Sequence, residues 1–557
     1  MNLQDFIKVG TAYITNLNNA FYPENVKDLK KYLEHISEPK TIVINSKIDL
    51  EGESLDLHSS ELVFISGGML DNGIIKNAKI KAGLFQIFGE NLTVSNIDAE
   101  QVYPQWFGAV GDGTNDDTQA FQKAINLKNT VYIPKPPVYY VVSSLNIPPH
   151  TQMIGEYIDR SPYAPLNLAY FEKLVALVRP AGQTAPMLNI ENAVTIKNLI
   201  FVGRDKAGDF LETPANSTSY GKHMHFENVY IYWFKKGFGT SNYLRNSRFI
   251  NCKATYCDEG FKNLIDCRVI NAEVNACVRG VVQGVGANST DWVACRFEWC
   301  SDKNVDLYKA EKNFFLSCSF DRGYNYNISV NDCVVFISGG QITRGGRNDN
   351  FDSANIRMGG VSEIYLSNVK MEKGTDDGGI GSLTPKYAIY RNTTSKVYIS
   401  NSNISDSWTV AFSNQKYPLI NINNTKGFRN VSGEGYIVST LDGTTTTAQD
   451  TIISYVVKNY QIGNVYEIDI FVRVANTGTR IIEKLYFMIA REGGNAYITA
   501  TKSDNLSANK INFSANSPTD LAIDILNVAP DGTTFDIAVS QVNTTNTYNL
   551  EVICKNL

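Results

Sequence analysis

Residues 106–118 read WFGAVGDGTNDDT, and this stretch decides how the fold is interpreted. Its three glycines and three aspartates are compatible with a calcium loop, a phosphate-binding loop or a structural turn. An EF-hand calcium loop that starts at Asp112 requires Gly at its sixth position and Glu at its twelfth, where the chain has Asp117 and Lys123. A phosphate-binding loop requires G-x-x-x-x-G-K-[ST], which this stretch lacks. The motif is therefore predicted to be structural.

The same residues carry the signals of a helix start. Asn115 or Asp116 can accept hydrogen bonds from the free amides of a first turn, and Asp117 suits the positive end of the helix dipole. Apolar residues recur on one side of the segment that follows, at Ala120, Phe121, Ala124 and Ile125. We predict a short amphipathic helical cap at residues 115–126 that covers the open end of a stack of strands.

The composition favours a β-rich protein that does not bind nucleic acid. The chain has 557 residues, of which 43% are hydrophobic and 19% charged, and its net charge is −5. A protein of this charge lacks the positive field that nucleic acid requires. The N-terminus has no basic region followed by an apolar run, and no apolar stretch approaches the ~20 residues of a membrane span. We expect synthesis in a cytoplasm, without a secretory signal and without membrane insertion.

Cysteine and histidine usage argues against a metal site. The chain has nine cysteines and five histidines, and the cysteines do not have zinc-ligand spacing. Most of the cysteines alternate with apolar residues, which predicts that they are small buried hydrophobic side chains. We expect no metal and no cofactor.

Residues from about 190 to 425 repeat loosely, at intervals of roughly 18–34 residues. Phrases such as YLRNSRFINC, WVACRFEWC and FLSCSFDRG each read as a brief strand pair broken by Asn, Ser, Cys or Gly. Helical patterns do not separate them, so the repeats predict a parallel β-solenoid. A sandwich of hairpins is the competing interpretation, but the Asn-Gly and Asp-Gly turns of hairpins are missing here.

The chain divides into three predicted domains in an all-β fold. Residues 1–100 form a small β-rich leader or adaptor domain with one helix at 24–36. Residues 101–430 form the solenoid, including the cap at 115–126. Residues 431–557 contain longer alternating strands, which predict a C-terminal antiparallel β-sandwich that serves trimerisation or carbohydrate binding.

The stretch QWFGAVGDGTNDDTQAFQKAI, residues 105–125, resembles the first motif of the pectate-lyase-like right-handed parallel β-helix superfamily. The order of the predicted domains resembles that of bacteriophage tailspike depolymerases. This resemblance implies a homotrimer on the virion tail, attached to the tail or baseplate, that binds and cleaves a bacterial surface polysaccharide. Tailspikes place their catalytic residues on different coils, so the resemblance assigns no residue roles.

Candidate catalytic residues come from aligning the coils on the apolar residue that follows each bend. The aligned residues are Phe297, Phe320, Ile342 and Met371, and they are followed by Glu298, Asp321, Thr343 and Glu372. Strand alternation places the second set on the outer face, and adjacent strands lie ~4.8 Å apart. Glycoside hydrolysis requires paired carboxylates of which one keeps its proton. We predict Glu298 and Asp321 as the catalytic pair, with Glu372, about 10 Å from Asp321, as a further partner.

Arginines and aromatic residues near these acids are candidates for substrate binding. Arginine forks can hold an acidic sugar, and aromatic rings stack on pyranose faces. The candidates are Trp299, Arg322, Tyr324, Tyr326, Arg344 and Arg347. Two alternatives stay open, because arginines beside acids often form surface ion pairs and Trp299 could pack inward. Other acids compete for the catalytic role: Glu273, Asp302, Asp306, Asp376 and Asp377.

Three functions are compatible with these features. The first is a polysaccharide depolymerase that acts by hydrolysis, with a lyase as a variant in which a base removes the proton next to a uronate carboxylate. The second is an adhesin that binds a glycan without cutting it. The third is a structural fibre without glycan binding.

Overall fold

The computed structural model describes residues 20–404 with their side chains, apart from residues 128–129, 157–166, 214–220, 349, 376–383 and 393. Outside that range it describes only the strands given below. The chain forms two compact units, Met1–Val282 and Gln283–Leu557. The predicted boundaries near residues 100 and 430 stay predictions.

The first unit begins with an antiparallel pair, Ile7–Val9 with Ala12–Ile14, and a helix at Val26–His35. The helix lies within the predicted range 24–36. The Asn25 side chain caps it by accepting a hydrogen bond from the Asp28 amide, and Leu29 and Leu33 are buried. The strands that follow pair in parallel: Thr41–Ile44, Lys47–Asp49, Ser54–Asp56, Glu61–Phe64, Met69–Asp71, Gly73–Lys81 and Leu92–Asp98.

The motif that begins at Trp106 forms a turn and then a helix at Thr118–Leu127, after a short 3-10 helix at Pro104–Phe107. The helix begins at Thr118, within the predicted cap at 115–126. Of the two proposed capping residues, Asn115 belongs to a separate turn, in which Asp112 Oδ1 accepts the amides of Thr114 and Asn115, both at 2.9 Å. Asp116 Oδ1 accepts the Thr118 amide at 2.9 Å, as one of the two proposed caps.

Asp117 has a different role from the predicted one. Its carboxylate accepts the amides of Val110 and Gly111, at 2.7 and 3.2 Å, and ties the preceding loop to the helix. Burial is the main cause that raises the pKa of Asp117. The predicted apolar side of the helix is buried, and the helix contacts strands on both sides of it in the chain, Leu92–Asp98 and Leu145–Ile147. It therefore lies between two sets of strands and not at a free end.

The rest of the first unit is built from parallel strands on the same plan, with a second 3-10 helix at Leu168–Phe171. Phe226 and Phe249 of neighbouring coils stack in its core, with ring centres 5.2 Å apart. The strands are Thr130–Ile133, Tyr140–Val141, Leu145–Ile147, Gln152–Gly155, Ala176–Val178, Leu188–Ile190, Thr195–Val202, Leu211–Glu212, Gly221–Lys222, His225–Tyr232, Lys236–Arg245, Arg248–Ile250, Lys253–Thr255, Glu259–Ile265, Arg268–Ile270, Glu273–Asn275 and Arg279–Gln283.

The first four coils of the second unit each have three parallel strands, of which the first two share a sheet and the third belongs to another. The first strands are Asp291–Val293, Asn313–Leu316, Val334–Ser338, Glu363–Ser367, Lys396–Ser400 and Ile420–Asn423. The second strands are Arg296–Glu298, Ser319–Asp321, Gln341–Thr343, Lys370–Glu372 and Asn403–Ile404. The third strands are Lys303–Tyr308, Tyr326–Asn331, Ala354–Gly359 and Tyr387–Arg391. This is the right-handed parallel β-helix that the sequence predicts.

The C-terminal strands pair in antiparallel fashion, as predicted, in one sheet of five and one of four. The five are Asp442–Gly443, Val465–Val474, Arg480–Glu492, Asn495–Thr501 and Tyr548–Asn556. The four are Asp450–Val456, Lys510–Asn512, Leu521–Leu526 and Thr534–Gln541.

Eight cysteines occupy equivalent places at the corners of the coils, and all eight are buried free thiols, which confirms the prediction for these positions. Each follows a residue in the left-handed conformation, with φ between 52 and 57°. Each thiol lies within hydrogen-bonding reach of the carbonyl two residues earlier, at 3.2–3.8 Å. The residues are Cys252, Cys257, Cys267, Cys277, Cys295, Cys300, Cys318 and Cys333.

These corner thiols should not react with alkylating reagents in the folded protein. Burial raises the pKa of Cys252 and of Cys267 to about 12, so the reactive thiolate is scarce as well as inaccessible. With iodoacetamide at about pH 8, we expect peptide mass spectrometry to find the eight corner cysteines unlabelled before, and labelled after, unfolding in urea. Rapid labelling of any of the eight in the native protein would contradict this.

Candidate functional site

Four residues form a column across the ends of the second strands. Glu298 pairs in register with Asp321, Asp321 with Thr343, and Thr343 with Glu372. Phe297 and Phe320, one residue earlier, are fully buried in the core, so by alternation the column faces away from the core. The predicted register is therefore confirmed. We call Glu298, Asp321, Thr343 and Glu372 the site column.

The members of the site column differ in exposure. The side chains of Glu298 and Asp321 are 1% and 9% exposed, whereas that of Glu372 is 41% exposed. The expectation that Glu298 and Asp321 line an open outer wall is therefore wrong. Strand alternation assigns a side chain to one face of a sheet, but other side chains can cover that face. Arg296 covers Glu298, with Nε 2.8 Å from Glu298 Oε2.

Two arginines hold Asp321 from the following coil corners. Arg344 binds it in bidentate fashion, with Nε 2.9 Å from Oδ1 and Nη2 2.6 Å from Oδ2. Arg322 donates from Nη1 to Oδ2 at 2.5 Å. Two guanidinium groups therefore compensate the charge of this carboxylate. Arg322 and Arg344 were predicted to bind substrate. In the structure, N–H groups of both side chains donate hydrogen bonds to the Asp321 carboxylate instead.

Trp299 packs outward and is 40% exposed, so the alternative of inward packing is wrong. The Cζ atoms of Arg322 and Arg347 lie 4.5 and 4.9 Å from its ring centre. Arg347 is 4% exposed. Contacts of this kind between a guanidinium and an indole are favourable and hold the ring in place. The site therefore presents an indole that two arginines fix beside Asp321.

Trp299, Arg322 and Arg344 occupy equivalent corners directly after the second strands. All three have left-handed backbones, with φ of 56, 54 and 54°. The sequence does not reveal these corners, because Gly and Asn are the residues expected to adopt such a conformation. The same conformation recurs at corners throughout the described chain, so it belongs to the fold and is not a mark of catalysis.

A buried asparagine ladder lies behind the site column, and sequence reasoning missed it. The Nδ2 atom of Asn304 donates to Oδ1 of Asn327 at 2.7 Å, and that of Asn327 donates to Oδ1 of Asn355 at 3.0 Å. The same three Nδ2 groups donate to the backbone carbonyls of Asp321, Thr343 and Glu372, at 2.8–3.0 Å. The ladder therefore fixes the strand ends that carry the site column. The signal in the sequence is an Asn at the second residue of three successive third strands.

The two predicted tyrosines differ. Tyr324 is 38% exposed, beside the corner that follows Asp321. Tyr326 is 8% exposed, and its hydroxyl donates to Asp352 Oδ2 at 2.5 Å. Burial, and next the bond to Asp352, raise the pKa of Tyr326. Tyr324 is therefore accessible to a ligand, whereas the ring of Tyr326 is too buried to stack on a sugar.

The other acids that were considered for the catalytic role form ion pairs or hydrogen bonds with neighbouring side chains, where the structure describes them. Glu273 lies 3.2 Å from Lys253, and Asp306 lies 3.1 Å from Lys303. Asp302 accepts a hydrogen bond from Asn325 at 2.7 Å. Asp376 and Asp377 lie outside the described residues.

Within the described residues, no group of three or more His, Cys, Asp or Glu side chains is placed to hold a metal ion. In the same part of the chain, no helix has both the length and the apolar character to cross a membrane.

A family model matches part of the chain, and several solved structures are similar to it. The family model "Rhamnogalacturonase A/epimerase, pectate lyase-like" matches residues 105–163, which include the glycine–aspartate motif. Tailspike protein 2 of Escherichia coli O157:H7 bacteriophage CAB120 is a similar structure, with 13% identity over 81% of this chain and 68% of that chain, at TM-score 0.42.

Two further solved structures are similar at lower TM-scores. The tailspike of Acinetobacter baumannii bacteriophage Fri1, described as a capsular polysaccharide depolymerase, has 9% identity over 81% of this chain and 85% of its own, at TM-score 0.30. The A-module of the mannuronan C-5 epimerase of Azotobacter vinelandii has 13% identity over 59% of this chain and 97% of its own, at TM-score 0.30.

Proposed function

We propose that the protein is a bacteriophage tailspike that binds and depolymerises a bacterial surface polysaccharide, capsular or O-antigen, by glycosidic hydrolysis. The observation that carries the proposal is the site column, which places three carboxylates on one outward line beside an exposed, arginine-held indole. In this proposal the protein acts as a homotrimer on the virion tail, outside the cell in which it is made. The resemblance of the motif at residues 105–125 supports the same assignment.

Asp321 and Glu372 are the preferred catalytic pair within the column, with Glu298 as the third candidate. Glu372 is exposed enough to reach a glycosidic oxygen, which suits the general acid. Asp321, whose charge two arginines compensate, suits the role of the ionised base. Glu298 is 1% exposed, so its carboxylate reaches a substrate only if the groups around it, including Arg296, move. Lys370 Nζ lies 2.7 Å from Glu372 Oε1, and this exposed ion pair must open for the acid to act.

The choice of pair predicts the stereochemistry of the product. Asp321 and Glu372 are separated by Thr343, which places their backbones two strand spacings, about 10 Å, apart and leaves room for a water between the carboxyl groups. The neighbouring pair of Glu298 and Asp321, one spacing apart, would give retention. We expect the first product to have the inverted anomeric configuration when cleavage is followed by NMR. A retained configuration would favour Glu298 and Asp321 instead.

The function is tested by incubating the protein with a panel of purified capsular and O-antigen polysaccharides, followed by sizing and mass analysis of the products. New reducing ends on shorter chains are the expected result. A product that absorbs in the ultraviolet would identify a lyase, which the arginines beside Asp321 also suit, because a uronate carboxylate needs a cation. Binding without any change in polymer length would identify an adhesin, which the burial of Glu298 and Asp321 favours.

A further inference from the structure

The connection between the second and third strands is longer in one coil than in the coil before it. Residues 344–353 join Gln341–Thr343 to Ala354–Gly359, whereas residues 322–325 make the equivalent connection one coil earlier. We call residues 344–353 the long corner loop; all of it except residue 349 is described. Loops of this kind on a rigid scaffold often carry binding residues.

The long corner loop is held by side chains along its length. It starts at Arg344, which binds Asp321, and Asn348 Nδ2 donates to Asn325 Oδ1 at 2.7 Å. Near its end, Asp352 accepts the Tyr326 hydroxyl at 2.5 Å. These contacts connect the loop both to the site column and to the start of the third strand Tyr326–Asn331.

Phe351 projects from this anchored loop with 74% of its surface exposed. Its ring centre lies 5.9 Å from that of Tyr390, at an interplanar angle of 77°. The edge contact positions the Phe351 ring while most of its surface stays accessible. Among the described residues Phe351 is the most exposed large apolar side chain, and a sugar ring that stacks on it would remove this apolar surface from water.

A guanidinium group lies next to this ring pair. Arg357 pairs in register with Tyr390 on the neighbouring third strand, and its Nε atom lies 3.5 Å from Asp352 Oδ2. Its Cζ atom lies 5.7 Å from the ring centre of Tyr326. A guanidinium group has five N–H donors, so this one can also donate to ligand oxygens. Because Asp352 balances the charge of Arg357, the patch suits a neutral ligand that offers both an apolar face and hydroxyl groups.

We infer that Phe351, Tyr390 and Arg357 form a second glycan subsite that binds a neutral pyranose unit of the same polymer. The apolar face of the sugar stacks on Phe351, and a sugar hydroxyl accepts a hydrogen bond from Arg357. This inference rests on the proposed function for the identity of the polymer. It concerns binding alone, beyond the site column, and requires no bond to be cleaved.

The test compares the wild type with Phe351→Ala, Phe351→Trp and Val361→Ala on an array of purified neutral and acidic oligosaccharides. Val361, 67% exposed in the same unit but outside the patch, is the matched control. We expect the wild type to bind glycans that contain neutral pyranoses and Phe351→Ala to bind them about tenfold more weakly. Phe351→Trp should keep the binding, since it keeps an aromatic face, and Val361→Ala should leave it unchanged.

Three outcomes would overturn the inference. They are wild-type binding restricted to acidic glycans or absent, Phe351→Ala binding equal to wild type, and a changed sedimentation coefficient of Phe351→Ala with glycan binding intact. The last would identify Phe351 as part of a protein interface. Failure of the proposed function gives a different result. A protein that binds the glycan array but never shortens the polymer would contradict the proposed cleavage and not the second subsite. If the polymer is cleaved, Phe351→Ala should raise KM about tenfold with kcat nearly unchanged.

Discussion

Glu372→Gln and Asp321→Asn are each expected to slow polysaccharide cleavage by about 10²–10⁴-fold while the glycan still binds. Gln at 372 cannot donate the proton that the leaving oxygen needs, and Asn at 321 cannot accept one from water. Glu372 is partly exposed, so its substitution should leave the fold intact. Product sizing at a fixed enzyme concentration measures the rate, and glycan binding measured separately shows whether the substrate is still held.

Glu363→Gln is the matched control for these variants. Glu363 lies on a first strand of the same unit, 2.7 Å from Lys396 and outside the site column, and its substitution should change the rate by less than about twofold. Folded Glu372→Gln protein that cleaves at the wild-type rate would remove this residue from the mechanism. If Glu298→Gln were also inactive, the catalytic pair would be Glu298 and Asp321 and not Asp321 and Glu372.

Asn327→Ala is expected to lower the free energy of unfolding by about 3–5 kcal/mol, which is large for one polar side chain. Asn327 is fully buried in the middle of the asparagine ladder. Its Oδ1 atom accepts from Asn304 and from the Gly323 amide, and its Nδ2 group donates to Asn355 and the Thr343 carbonyl. Alanine at 327 removes the amide that these buried groups bond to, and each buried group left without its hydrogen bond costs about 1–3 kcal/mol.

Denaturant unfolding, followed by fluorescence, measures this effect. The control is Asn403→Ala, an exposed asparagine on a second strand of the same unit, for which we expect a change below about 0.5 kcal/mol. A loss below about 1 kcal/mol for Asn327→Ala would show that water or neighbouring groups replace the ladder bonds.

The sequence is sufficient to predict the register of the site column, but not its surroundings. Apolar residues such as Phe297 and Phe320 repeat at fixed places because each must enter the core, and this alignment sets the position of the next residue. Alternation also places Glu298 on the outward face correctly. The covering groups come from elsewhere, since Arg344 reaches Asp321 from the next coil and Arg296 turns back over Glu298.

The corners of the coils were harder to predict than the strands. Asn271 is a recognisable left-handed residue, but Trp299 and Arg322 adopt the same conformation without any sequence signal. At such positions the pairing of strands on both sides fixes the backbone and overrides the local preference. The long corner loop was missed for a related reason, because a stretch such as RGGRNDN has turn residues but nothing that shows which neighbours will hold it.

The sealed thiols at the coil corners affect how the folded protein survives storage in air. As long as the coils stay closed, oxidants do not reach the eight buried sulfurs, which are all free thiols. Once a molecule opens in air, several thiols close in sequence become free to cross-link, and a cross-linked chain cannot rebuild its corners. Loss of folded protein on storage should then follow the rate of unfolding and not the equilibrium constant. A reductant should restore refolding but should not slow the loss of folded protein.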